Sequence, residues 1–140
     1  MSIALAACGG GGGDAETSTS PSNATVLSSA TGPTPFTFAR IQSQILTPTC
    51  AISGCHVGGS PAAGMDLSVP AYARIVNVPS AEVPSLKRIA PSSSANSYLI
   101  RKLEGAPGIV GSRMPFAGPF LDQATIDRIR AWIDAGAANN

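Results

Sequence analysis

Two thiols and an imidazole stand together at Cys50-Ala51-Ile52-Ser53-Gly54-Cys55-His56. Thiols so placed can add across the two vinyl groups of a haem, and the adjacent histidine then reaches the iron from one side of the ring. That is the donor set of a covalent c-type haem anchor. The usual spacing leaves two residues between the cysteines, whereas four stand here, so the backbone must bulge between the two thioether bonds. Gly54 suits such a bulge because it tolerates positive φ. Other chemistry is open to the same residues. In an exported protein Cys50 and Cys55 can close a small disulfide loop, with His56 on the surface beside it. A tetrahedral zinc site is poorly supplied, since two cysteines and the chain's single histidine give three ligands.

A low-spin electron-transfer haem takes a sixth ligand, and a thioether opposite histidine raises the reduction potential. Met1 is the initiator, Met65 lies close to the anchor, and Met114 lies in Gly111-Ser112-Arg113-Met114-Pro115-Phe116. Only Met114 combines a useful separation, 58 residues beyond His56, with a stiff setting, held by Pro115 and flanked by Gly111 and Gly118. Arg74, Lys87, Arg88 and Arg113 are candidates to pair with haem propionates, although solvated surface charge is the default for each. Arg113, beside the expected ligand, is the first choice.

The elements that must position these side chains are read as helices. Thr37 can cap a first helix with Phe38, Ile41 and Ile45 on one face, stopped by Pro48 just before the anchor. Its apolar face is expected to pack on the last helix. Ala71 to Ile75 reads as a short helix, and the rest of Asp66 to Pro91 as irregular chain packed on the cofactor. Ser97 to Glu104 presents Leu99, Ile100 and Leu103 and ends at Gly105, which suits a left-handed helix end. The last helix opens at Asp122, with Leu121 and Ile126 as a hydrophobic staple. It buries Ile126, Ile129 and Ile133, carries Trp132 as a core residue near the haem, and ends near Gly136.

Cys50 to His56, the Met114-Pro115 pair and the closing amphipathic helix Thr125 to Ile133, in that order, resemble a class I cytochrome c over roughly residues 36–140. The resemblance implies a small all-α fold wrapped around one haem, with His56 as proximal and Met114 as distal ligand. The four-residue spacing departs from the family's usual anchor and belongs, in the wider group, mainly to multihaem proteins.

The chain divides into a shortened lipoprotein signal and lipidation site (1–8), a disordered Gly, Ser, Thr and Pro-rich tether (9–35) and the haem domain (36–140). Ile3-Ala4-Leu5-Ala6-Ala7-Cys8 resembles a bacterial lipoprotein processing site, though no basic segment precedes it. Lipid on Cys8 would anchor the protein to a membrane of the periplasm or cell envelope and leave the other two cysteines for haem or for each other. With 44% hydrophobic but only 5% aromatic residues and 12 prolines, the core is expected to be thin, and a buried porphyrin would supply apolar volume.

A net charge of +1 without a basic stripe argues against nucleic acid as a partner. No nucleophile elbow, phosphate loop or second histidine points to an enzyme or to a small-molecule substrate. The expectation is an electron carrier docking transiently with redox proteins. The alternatives are a haem-free secreted interaction module stapled by Cys50 and Cys55, and a haem relay domain of a larger oxidoreductase complex.

Overall fold

The computed structural model describes residues 33–140. The expected lipidation site Cys8, the signal segment and most of the tether lie outside the described residues. The described chain is helical, and its only strand-like pairings are isolated bridges.

Helix α1 starts as Phe38–Ile41, with the Thr37 hydroxyl accepting from the Arg40 amide, and continues without a break as Gln42–Cys50. Pro48 therefore does not stop it, contrary to the sequence expectation. A proline inside an α-helix lacks a donor and clashes with the carbonyl four residues back. Here the turns widen, so that the Ala51 amide reaches the Leu46 carbonyl at 2.7 Å, and the Thr49 hydroxyl donates to the Ile45 carbonyl. The helix thus carries the chain through to Cys50.

A buried glutamine ties α1 to the chain beyond the anchor. Gln42 donates to the Leu67 carbonyl at 3.1 Å and accepts from the Ala71 amide at 3.0 Å. Helix α2, Tyr72–Ile75, is the expected short helix. Beyond it the chain folds back on itself through bridges pairing Val76 with Ile89, Pro79 with Lys87 and Lys87 with Ser97, which is more order than the irregular chain expected there.

Helix α3, Tyr98–Glu104, ends at Gly105 with φ +69°, the left-handed turn that glycine adopts without steric cost. Helix α4, Gln123–Asp134, is capped by the Asp122 carboxylate, which accepts from the Thr125 amide at 2.8 Å. Those hydrogen bonds hold the Asp122 carboxyl below the usual carboxylate range. A two-pronged ion pair of Arg130 with Glu104, at 2.5 and 3.1 Å, joins α4 to α3.

One core serves all four helices: Phe38, Ile41, Ile45 and Leu46 from α1, Ile75 from α2, Ile100 and Leu103 from α3, and Ile126, Ile129, Trp132 and Ile133 from α4. The Phe38 ring stacks on Trp132 with centroids 5.7 Å apart and meets Tyr72 edge-on at 5.0 Å. The Trp132 indole donates to the Ala138 carbonyl, and the Phe38 amide to the Asn140 side chain, so the two ends of the helical unit are tied together. Trp132 is a core residue, as expected.

Candidate functional site

A cleft of about 390 Å³ opens between the segment after α1 and the segment after α3, within the usual range for cofactor sites. Its lining is mostly apolar and brings together Cys50, Cys55, His56, Met65 and Met114. Trp132, packed in the core against Phe38, is not among the lining residues.

The anchor wall is built by backbone. The Cys55 amide donates to the Ile52 carbonyl at 3.0 Å with Gly54 at φ +81°, the positive φ that a type II turn needs at its third position. The His56 amide then closes the loop onto the Cys50 carbonyl at 3.2 Å. The expected bulge at Gly54 is thus a defined turn. Cys50 and Cys55 are free thiols, both half-buried. Burial pushes the Cys50 thiol above its ordinary range; a contact with the Thr49 hydroxyl opposes this and the nearby Cys55 adds to it.

His56 Nδ1 lies 3.2 Å from the Met65 carbonyl oxygen. A carbonyl only accepts, so Nδ1 carries the proton of this bond, and in the neutral ring the lone pair is then on Nε2. The Leu67 amide donates to the His56 carbonyl at 2.8 Å, so the backbone that supplies the acceptor is bonded to the histidine's own. Arg88 clamps the turn before Met65: its guanidinium donates to the carbonyls of Ala63, Gly64 and Arg74 at 2.8–3.2 Å. Burial lowers the pKa of that guanidinium.

The methionine wall hangs on α3. The Met114 amide donates to the Lys102 carbonyl at 2.8 Å. Arg113 does not line the cleft; its Nε donates to the Leu103 carbonyl at 2.7 Å and its guanidinium lies over the Phe120 ring at 4.2 Å. Of the four arginines and lysines considered for propionates, only Arg88 lines the cleft.

Sequence reasoning missed a polar group on this wall. Glu82, Tyr98 and Lys102 all line the cleft, and the Glu82 carboxylate receives the Tyr98 hydroxyl at 2.8 Å and the Lys102 ammonium at 3.3 Å. Lys102 is only 8% exposed. A lysine on a helix face that is otherwise apolar is a signal of this kind, but its partner sits in a distant loop.

The donor set fits a c-type haem: two unpaired thiols beside a histidine held through Nδ1, and methionine thioethers lining the same cleft. No group of three or more His, Cys, Asp or Glu among the described residues is arranged to hold a metal ion directly. No helix among the described residues is long and apolar enough to cross a membrane. No family model matches the chain, and no curated protein or solved structure does.

Proposed function

We propose that the chain is a monohaem c-type electron-transfer protein with a cytochrome c-like haem domain, anchored to the bacterial cell envelope through lipid on Cys8. The single observation that carries this reading is the Nδ1 hydrogen bond of His56 to the Met65 carbonyl, made in the same cleft as two free thiols and a second thioether.

Each residue has a separate task. Cys50 and Cys55 would hold the haem, each thiol adding S–H across a vinyl double bond with no oxidant consumed. His56 offers Nε2 to the iron, and its bond to the Met65 carbonyl keeps the ring turned and raises its basicity. Met65 and Met114 both line the cleft; Met114, on the wall carried by α3, would supply the thioether ligand. Haem held in this way supplies a one-electron ferrous/ferric couple. The apolar lining keeps water from the ring and tunes the potential.

The test is a pyridine haemochrome spectrum and haem staining on a denaturing gel, using the full chain exported from a host with a cytochrome c maturation system. One haem per polypeptide that survives denaturation is expected. A colourless protein with Cys50 and Cys55 joined in a disulfide would overturn the reading and leave the haem-free interaction module.

A further inference from the structure

The stretch between Gly105 and Met114 contains two glycines with positive φ, Gly108 and Gly111, and forms no helix or bridge. A segment of that kind does not hold a ligand by itself, yet both backbone groups of Val110 at its centre are engaged. The Val110 amide donates to the Tyr98 hydroxyl at 2.8 Å, and the Lys102 ammonium donates to the Val110 carbonyl at 2.7 Å.

The bond directions are fixed by chemistry. An amide only donates, so the Tyr98 hydroxyl accepts from Val110 and gives its own proton to Glu82. The ammonium of Lys102 divides its donors between Glu82 and Val110. Glu82 therefore neutralises a nearly buried lysine and orients a tyrosine, and both grip the same residue. Burial and the Glu82 carboxylate push the Tyr98 phenol up, so its proton stays in place across the physiological range.

We propose that Glu82, Tyr98 and Lys102 form a latch that positions Met114, by holding Val110 while the Lys102 carbonyl holds the Met114 amide. Three sets of bonds converge on one segment: the tyrosine and the lysine side chains on Val110, the helix backbone on Met114, and Arg113 on the Leu103 carbonyl. All come from α3 or, through Glu82, from the loop paired beside it. The three are positioning residues, acting on the distal ligand through the backbone. Their assignment rests on the reading of Met114 as that ligand, whereas their grip on the loop does not.

The experiment compares the full chain with Tyr98→Phe and Lys102→Met, with Lys102→Arg as the conservative variant. Amide hydrogen exchange at Val110 and Met114 is read beside imidazole binding to the haem. Tyr98→Phe removes one oxygen and leaves the ring in place, so it keeps the test open if Lys102→Met does not fold. Expected are exchange at Val110 about three- to tenfold faster, unchanged exchange at Cys55 and His56, tighter imidazole binding with haem still attached, and partial recovery in Lys102→Arg. Unchanged exchange at Val110 and Met114 in folded variants would overturn the latch. Faster exchange with unaltered imidazole binding would overturn its role in placing Met114. A haem-free protein in which exchange still accelerates would keep the latch and sink the cytochrome reading instead.

Discussion

The anchor wall of the cleft is closed by its own backbone between Cys50 and His56, whereas the methionine wall is held by side chains of α3 and by Glu82, far away in sequence. On the proposed reading, the contrast matches what each wall would have to do. Two thioether bonds and a histidine would have to be correctly spaced before haem was attached, and bonds within a short local segment suit that task. A distal ligand would be needed only once the domain had folded around the ring, and for that long-range contacts would suffice. A local turn tolerates damage elsewhere, while a wall built on tertiary contacts is released by a single change at a distance.

The largest effects are expected at the anchor. Cys55→Ala and His56→Ala should cut covalent haem per chain by more than about tenfold, read by haem stain against total protein, because the attached group loses a bond or a ligand. Met114→Ala should leave haem attached, lower the potential and admit small ligands to the iron. Normal potential in Met114→Ala would mean that the methionine wall does not carry the ligand, and the comparison between the walls would lose its meaning.

Arg88 sharpens the contrast, because it is a long side chain that braces the anchor wall from outside the Cys50–His56 segment. Arg88→Met leaves three carbonyls without their donor and should cost about 1–2 kcal/mol in denaturant unfolding. The proton on His56 should also become less confined to Nδ1, which nitrogen NMR of the imidazole reads in the haem-free chain. Gly54→Ala should cost about 1 kcal/mol, from conformation alone, since a Cβ there meets no atom within 4 Å. An equally large cost for a substitution at Ser53 would show that the turn is not the constraint.

Much of the fold was legible because its signals are local. Asp122 and Gly105 mark helix ends through bonds to residues a few positions away, and the alternation of Ile126, Ile129 and Ile133 needs no partner to be read. Gly54 announced its turn in the same way. Pro48 misled because the rule that it ends a helix assumes α geometry, and here the widened turns and the Thr49 hydroxyl absorb it. Adjacency to Met114 in an irregular segment does not set the direction of Arg113, which the chain turns towards Leu103 and Phe120. The grip of Gln42 on Leu67 and Ala71, and that of Glu82 on Tyr98 and Lys102, join residues across long separations. No pattern in the sequence announces such pairs, since each polar residue would be unremarkable on a solvated surface.

The smallest expected effect concerns the Cys50 thiol of the anchor wall. Burial raises the Cys50 thiol, Cys55 raises it further and Thr49 partly offsets both, so the folded chain keeps its proton to higher pH than the unfolded one. Stability contributed by this group is complete below the ordinary thiol pKa and is lost as pH rises from there through the raised folded value. Alkylation of Cys50 in the haem-free protein should accordingly require a more alkaline solution than alkylation of a free thiol, because the thiolate is the nucleophile. Mass spectrometry of iodoacetamide adducts against pH checks this site by site. A Cys50 that reacts at the pH of a free thiol would show that the anchor loop opens on the timescale of the reaction. The anchor wall would then be as dependent on the rest of the fold as the methionine wall.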